Sequence, residues 1–597
     1  MSDYRPPIDD IVYTLEEVAG LGDLAALDAF SDLDADFVRA ALEEAGRFTA
    51  EVIGSIHEVS DDQGSRLTDE GEVVTPDGFR EAYGKFVESG WPAAAFPEEW
   101  GGGGMPFTVG LAVQEMVTSA DMAFSLCPML TFGAVELLLE YGTPEQQATY
   151  LEKLVTGEWT GTMVLTEPQA GSDLGALTTR AVRADDGTYR ITGQKIYITW
   201  GDHDLTDNIV HLVLARTPDA PPGTRGISCF IVPKYLVDAD GTPGERNDIT
   251  TVSLEHKLGI HASPTCVLSF GDEGDGAVGY LVGEEQQGMR YMFLMMNNAR
   301  LQVGVEGLGV AERVLQQSAA FARDRRQGRA VGAPKTESSP IVEHPDVRRM
   351  LMLLRARVEA MRGVMYRTAR MIDLRHHAAT DAERERADEV AAILTPVSKA
   401  WGTDLGVECA NLGIQVHGGM GYIEETGAAR LLRDVRIAPI YEGTNGIQAA
   451  DLATRKLPMR DGAAVGDLLD EMRATAKHLA ATDEATAGAL TDAVEALAEA
   501  SEWLLGRFGV APNDTLAGAT PYLEMFGITA GGWALGLATL AARRRLGTDG
   551  ADEAFLRDKI ATTRFYAEHE LPRVRGLLAS ATAGAGTMFE VDADRLG

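Results

Sequence analysis

Cysteine is scarce. Four residues in 597, Cys127, Cys229, Cys266 and Cys409, lie far apart with no CxxC pair. That excludes a disulfide framework and a zinc-knuckle pattern, and it fits a reducing compartment. Positive charge is also in deficit: 53 Lys and Arg stand against 90 Asp and Glu, a formal net charge of −37. Such an excess repels a nucleic-acid backbone or an anionic membrane surface, although a few local cations can still hold a small anion. No run of 18 apolar residues occurs; Ile528 to Ala542 comes nearest and ends at Arg543-Arg544-Arg545. Met1 to Asp10 lacks the basic start and apolar core of a signal peptide. The expectation is a soluble cytoplasmic protein with neither nucleic acid nor membrane as partner. Four signatures are missing as well: G-x-G-x-x-G after a strand, G-x-x-x-x-G-K-[ST], H-E-x-x-H and G-x-S-x-G. A nicotinamide Rossmann enzyme, a P-loop ATPase, a zincin and a serine esterase thereby lose their usual support, and no metal site is expected.

What is present is ordinary globular material, 45% hydrophobic and 24% charged. At roughly 150 residues per domain the length suggests about four domains. The pattern predicts an α+β chain in four parts. Residues 1–160 read as an N-terminal helical domain, with helical spacing over Asp32 to Val59 and Gly133 to Tyr150. Between these runs, Trp100-Gly101-Gly102-Gly103-Gly104 reads as a flexible surface break. Residues 161–285 read as a central antiparallel β-sheet or barrel. Its strands are expected at Tyr189–Thr199 (two segments around a turn), Asn208–Ala215, Gly226–Val232 and Thr265–Phe270. Residues 286–457 read as a helical bundle. Leu301, Val305, Leu308 and Leu315 mark one face, Asp346–Leu374 a second helix, and Asp388–Val416 a third, bent or capped near Pro396. After a linker at Pro458–Gly462, residues 458–597 read as an additional domain of three or four Ala-rich helices.

Three constellations can carry chemistry. Leu165-Thr166-Glu167-Pro168-Gln169-Ala170-Gly171-Ser172-Asp173 offers hydroxyls and amides around a flexible glycine, suited to a planar heterocycle or a phosphate; read by itself it is a loop entering a capped element. Ile196-Tyr197-Ile198-Thr199-Trp200-Gly201 ends a strand with an aromatic, a hydroxyl and a glycine, which ordinary strand packing also explains. The third joins Gln415-Val416-His417-Gly418-Gly419-Met420-Gly421 to Ile440-Tyr441-Glu442-Gly443-Thr444-Asn445-Gly446. Glu442 reads as a lone carboxylate in an apolar, aromatic setting, where burial would raise its pKa and suit it to general-base work; a surface glutamate in a turn is the competing reading.

Together, in this order and spacing, the three resemble the acyl-CoA dehydrogenase family over roughly residues 80–457. The Tyr4-Arg5-Pro6-Pro7 opening and the helices after 457 are similar to its long subgroup with a C-terminal extension. The resemblance implies FAD between the β domain and the C-terminal helices. Met163, Leu165, Thr166, Gly171, Ser172, Tyr197, Ile198 and Thr199 would hold the flavin. Arg325, Gln327, Gln415, Gly418 and Gly419 would reach the ADP part of FAD in a neighbouring subunit, which implies a homodimer. Thr444 and Asn445 would close over the chain's own flavin. Ser172, Asn297, Arg300 and Gly443 would meet the acyl-CoA. Glu442 would remove the α-proton while the β-hydrogen leaves as hydride to flavin N5, with electrons passed to an electron-transferring flavoprotein in fatty-acid β-oxidation. Where some relatives carry the base just before the arginine matching Arg300, this chain has Ala299, so Glu442 is the catalytic carboxylate the pattern offers. Tyr197 stands where many relatives have tryptophan, and Ala330 to Glu343 is an insertion. Chain length of the acyl group stays open; 3-methylmercaptopropionyl-CoA is one candidate. Met292, Met295 and Met296 read either as an adaptable cavity wall or as core. Two alternatives remain: an acyl-CoA oxidase using O₂, and a non-enzymatic DNA-binding homologue using the basic cluster at Arg543–Arg545.

Overall fold

The computed structural model describes residues 4–31, 33–334 and 336–597. The Asp32 end of the first expected helix therefore lies outside the described residues. Two compact units are formed, each from several chain segments.

The first unit takes Met1–Pro6, Glu44–Met105 and Met116–Gln302. Its eight-stranded sheet uses β1 (Thr160–Val164), β2 (Arg180–Arg183), β3 (Tyr189–Thr199), β4 (Ile209–Arg216), β5 (Ile227–Pro233), β6 (Ile249–Leu254), β7 (Thr265–Phe270) and β8 (Ala277–Leu281). The order is β6-β7-β3-β8-β5-β4-β1, and β2 pairs with both β3 and β4, closing a five-strand ring. The expected antiparallel arrangement needs correction at two pairs; β2 meets β4 in parallel, Arg180 opposite Arg216. β1 runs parallel to β4, Thr160 opposite Ile209, because 44 residues of intervening chain provide the crossover that a parallel pair needs. A further correction concerns β3, which is one continuous strand and not two segments around a turn. Gly193 (φ 148) lets it bend there. Before the bend it pairs with β2 and β8, and after it with β7. Val164, Ile191, Val213, Phe230 and Leu268 fill the interior.

Helices Met122–Tyr141 and Pro144–Val155 replace the single helix expected over 133–150. They part at Gly142, where Thr143 and Gln146 form a capping box. The Gly101–Gly104 run is no flexible break. Gly102, Gly103 and Gly104 donate backbone bonds to Pro97, Ala93 and Phe96, and a Cβ at Gly102 would lie 2.0 Å from the Phe96 carbonyl oxygen.

The second unit takes Pro7–Glu43, Pro106–Glu115 and Val303–Gly597. Its long helices are α1 (Gly288–Asp324, which begins in the first unit), α2 (Pro345–His377) and α3 (Asp381–His417). α3 is not capped at Pro396 but continues through it, starting seven residues earlier than expected, at a Thr380–Glu383 capping box. Glycine lets α1 and α3 touch backbone to backbone: a Cβ at Gly307 would lie 2.2 Å from the Gly402 carbonyl oxygen. Short α4 (Ala428–Val435) and α5 (Asn445–Asp451) follow.

The extension contains five helices, more than the three or four expected: α6 (Ala463–Ala480), α7 (Glu484–Arg507), α8 (Pro512–Arg545), α9 (Glu553–His569) and α10 (Pro572–Ala581). It belongs to the same compact unit as α2 and α3. The expected linker is a tight turn in which Arg460 (φ 50) pairs with Glu389 at 2.7 Å and Asp467 at 2.6 Å. Met122–Tyr141 and α8 are long and apolar enough to cross a bilayer, but 78% and 89% of their most apolar windows are buried inside protein, as core helices are.

Candidate functional site

The site residues fall in both units, and each set is described within its own unit.

In the first unit the T-E-P-x-A-G-S-D run leaves β1 and turns beside β3. Its glutamate is not a ligand-facing group. Glu167 is 2% exposed and accepts from Thr178 N (2.7 Å), Thr178 Oγ1 (2.8 Å), Thr179 N (3.0 Å), Thr179 Oγ1 (2.6 Å) and Lys195 Nζ (2.9 Å). Burial alone would raise its pKa; Lys195 and the threonine donors outweigh that and hold it at about 2. Its contribution to stability is therefore complete above the usual carboxylate range and is lost as pH falls from about 4.5 toward 2. Burial pulls Lys195 down to about 8, against the raising effect of Glu167. Lys195 Nζ also donates to the Leu165 carbonyl at 2.8 Å, and Ile196 N donates to Thr166 O at 2.9 Å. These bonds fasten the loop to the strand. Lys195→Met is expected to destabilise the protein by about 3 kcal/mol, the lower end for breaking a buried pair because four threonine donors still serve Glu167; a fall in the urea midpoint is the check.

The fastening places Thr166 next to the end of β3. There the pairing with β7 shifts register between Cys266 and Leu268, a β-bulge. Up to Lys195 the odd-numbered residues of β3 point inward; beyond the bulge Ile198 and Trp200 do so. The extra residue, Tyr197 (φ 60), is thrown outward, 59% exposed. Thr166 and Thr199 are half-buried, Ser172 and Gly171 exposed, Met163, Leu165 and Ile198 buried. Among the described residues the Thr166, Thr199 and Ser172 hydroxyls bond no other side chain, so an exposed aromatic and three available hydroxyls share this end of the sheet. That donor set fits a planar heterocycle with polar edges.

On the part of α1 within the same unit, Arg300 is 8% exposed and donates to Asn297 Oδ1 at 3.1 Å. Met292 and Met295 are fully buried, Met295 lying where a Cβ on Gly133 would meet it at 2.8 Å; these two are core, and Met296 is half-buried.

In the second unit Glu442 lies in the turn between α4 and α5, half-buried, with φ 55 in the left-handed region that favours glycine. Such a backbone persists only where its surroundings over-determine it. Gln448 Nε2 donates to the Glu442 and Gly443 carbonyls, both at 3.3 Å, and Asn445 N donates to Pro439 O at 3.0 Å. Thr444 caps α5 through Ile447 N. Asn445, expected over the flavin, instead spends its amide on α3: it donates to Ala400 O, Thr403 Oγ1 and Asp404 Oδ1 and accepts from Lys399 Nζ at 2.8 Å. The first helical position of α5 points it inward, so it is a clamp for the turn.

Glu442 is also not a lone carboxylate. Tyr441 Oη donates to Glu306 Oε2 at 2.5 Å, and Glu306, on α1, is fully buried. Sequence reasoning missed Glu306; its one signal was a carboxylate set between Gly304, Gly307 and Gly309, where a helix is packed tightly all round.

Arg325, Gln327, Gln415, Gly418 and Gly419 are exposed. The insertion after Arg329 folds back on the first two: Ile341 N donates to Arg325 O at 2.8 Å, Gln327 N to Ser339 O at 3.0 Å, and His344 Nε2 bonds Gln327 O at 2.8 Å. The arginines at the end of α8 are engaged by carboxylates, Arg543 by Asp483 (3.1 Å), Arg544 by Glu17 (3.2 Å) and Arg545 by Glu17 (3.4 Å).

Four family models match in chain order: acyl-CoA dehydrogenase N-terminal domain (residues 39–158), middle domain (162–272) and C-terminal domain (286–457), then acetyl-CoA dehydrogenase C-terminal like (468–592). The chain is 48% identical to the 3-methylmercaptopropionyl-CoA dehydrogenase of Ruegeria pomeroyi, covering 95% of this chain and 96% of that one. It is 37% identical to a butyryl-CoA dehydrogenase of Syntrophomonas wolfei, covering 96% of each. A solved acyl-CoA dehydrogenase from Bacillus anthracis, complexed with FAD, shares the fold with a TM-score of 0.73 at 22% identity, over 94% of this chain and 90% of that one.

Proposed function

The chain belongs to the acyl-CoA dehydrogenase family, and from that premise we propose that it is an FAD-dependent enzyme that dehydrogenates a short acyl-CoA at Cα–Cβ to the trans-2-enoyl-CoA. Glu442 is the base: a carboxylate in a strained turn, braced from behind, is the observation that carries the reading. Its carboxylate takes the α-proton of the thioester, and its own backbone N–H donates to the thioester carbonyl, whose growing negative charge makes that proton acidic. FAD, when bound, accepts the β-hydrogen with its electron pair. Thr166 and Thr199 would hold the edge of the flavin ring and Tyr197 would lie against it; the outward tyrosine and the available hydroxyls support this assignment. Ser172 serves the phosphate and pantetheine region. Arg300 serves CoA, with Asn297 setting its guanidinium.

The exposed Arg325, Gln327, Gln415, Gly418 and Gly419 support a homodimer in which these residues serve the partner's cofactor. An electron-transferring flavoprotein is the proposed acceptor, and the cytoplasm the proposed location. Pairing of Arg543, Arg544 and Arg545 with carboxylates weakens the DNA-binding alternative.

Similarity to a 3-methylmercaptopropionyl-CoA and a butyryl-CoA dehydrogenase supports short acyl chains, a thioether among them. The test is a screen from propionyl-, methylthiopropionyl- and butyryl- to palmitoyl-CoA with an artificial electron acceptor. The expected result is a yellow protein whose kcat/KM is highest for the four- to five-atom chains. A maximum at palmitoyl-CoA would overturn the substrate reading, and stoichiometric peroxide in air without acceptor would make it an oxidase.

A further inference from the structure

Glu306 is a carboxyl group in the wrong place for packing. It sits mid-helix on α1 with no exposure, between Gly304 and Gly307, which both lie against the backbone of α3. An aliphatic side chain such as leucine there would carry no carboxyl desolvation cost. One oxygen, Oε2, accepts the Tyr441 hydroxyl at 2.5 Å; the other, Oε1, is buried without a hydrogen-bond partner among the described residues. Native proteins seldom leave such an atom unless the group has work to do.

The work lies one residue beyond the tyrosine. Tyr441 precedes Glu442, and the turn they share is held in the left-handed region at Glu442 (φ 55) and Gly443 (φ 84). Gln448 grips the turn through its carbonyls and Asn445 ties its far end to α3. The near end is tied through the side-chain bond from Tyr441 to Glu306. We propose that Glu306 is a positioning residue for Glu442: through Tyr441 its carboxyl group fixes the left-handed turn that presents the base. This rests on the reading of Glu442 as the base.

Three groups act on the Glu306 carboxyl: the Tyr441 hydroxyl, the Lys399 ammonium on α3 and Glu442 itself. Burial pushes its pKa up to about 8; Tyr441 and Lys399 oppose that and Glu442 adds to it. At neutral pH the group is therefore held protonated, and Glu442 is spared a second charge. Above about pH 8 ionisation places that charge behind the base, where it repels the enolate-like charge formed on the substrate. The folded protein also keeps a proton that the unfolded chain releases, so this group costs stability as pH rises from about 4.5 to about 8.

The experiment uses the full-length FAD-loaded protein and four variants: Glu306→Gln, Glu306→Ala, Tyr441→Phe and the Glu306→Ala/Tyr441→Phe double. kcat and KM are measured from pH 6 to pH 9.5, and the unfolding midpoint from pH 4.5 to pH 8.5. Glu306→Ala and Tyr441→Phe are each expected to lower kcat about 10²-fold with little change in KM, the size of effect that a small misplacement produces. The double variant is expected to be no worse than Glu306→Ala. Glu306→Gln can still accept from Tyr441, so it should keep kcat at pH 7, lose the alkaline fall near pH 8, and lose one component of the pH dependence of the midpoint. Wild-type kcat and pH profile in Glu306→Ala, additive losses in the double, or Glu306→Gln as poor as Glu306→Ala would each overturn the proposal. Failure of the base assignment reads differently: Glu442→Gln would stay active, while the coupling of Glu306 and Tyr441 in the unfolding midpoint would persist.

Discussion

Glu442→Gln is expected to give a folded, yellow protein with kcat reduced by about 10³–10⁴-fold. General-base catalysis contributes about 10²–10⁴-fold, and the upper part of that range is expected for a proton taken from carbon, which a glutamine amide cannot accept. At that size the loss is about 4–5.5 kcal/mol of barrier. The fold of the turn should persist. The turn is gripped through main-chain carbonyls by Gln448 and through Tyr441 by Glu306, neither of which uses the Glu442 carboxylate. The variant therefore separates chemistry from folding: flavin absorbance and unfolding midpoint report the fold, and stopped-flow bleaching of the flavin by acyl-CoA reports proton abstraction. KM should stay within a few-fold, since an interaction used only in the transition state lowers kcat and kcat/KM together. Bleaching at the wild-type rate would remove Glu442 from the mechanism.

Much of this architecture is legible in the residues. The alternation at Thr265–Phe270 gives a strand with those same ends, and Leu490, Val494, Leu497 and Leu504 trace a face that is fully buried in α7. Motif spacing finds the Thr166 loop, the end of β3 and the Glu442 turn. Misreadings arise where one residue type serves two physical ends. Gly193 beside a glutamine looks like a turn, yet glycine equally permits a strand to bend without breaking. The glycines at 101–104 look loose, yet the absence of Cβ is what lets their backbone lie against Phe96. Glu167 sits in a binding motif and is nevertheless the buried anchor of it. A signal existed there: Tyr189, Ile191 and Lys195 share the inner face of β3, and an inward lysine calls for a buried carboxylate. Glu306 carried almost no signal, because a glutamate in a helix reads as a solvated face until the packing around it is known. A carboxyl group buried by tertiary packing is what pattern alone conceals.

Arg362→Leu is expected to be the most destabilising single change in the second unit. The Arg362 guanidinium on α2 is 1% exposed and reaches three carboxylates from separate stretches of chain. It donates to Glu115 Oε1 (2.6 Å from Nη2, 3.0 Å from Nε), to Glu312 Oε2 on α1 (2.8 Å) and to Asp10 Oδ2. Tyr366 adds a 2.6 Å bond to Glu115, and Lys559 on α9 meets Asp10 from the other side, so the extension is stitched to the N-terminal segment through the same cluster. Removing one partner of a single buried pair costs about 3–5 kcal/mol. Here one substitution takes the cation from Glu115 and Glu312, both nearly inaccessible and left with neutral donors such as Tyr366 and Gln316, and from Asp10, which keeps Lys559. A loss at or above the top of that range is expected, comparable to the whole stability of many domains. The check is soluble yield together with the urea midpoint. Arg362→Lys should recover part of it, since an ammonium supplies charge but not the fork that serves Glu115 and Glu312 at once. The triple variant Arg362→Leu/Glu115→Leu/Glu312→Leu should be more stable than Arg362→Leu alone, because it removes the stranded charges along with the cation. If the triple variant proves less stable than the single one, packing rather than desolvated charge sets the cost at this cluster.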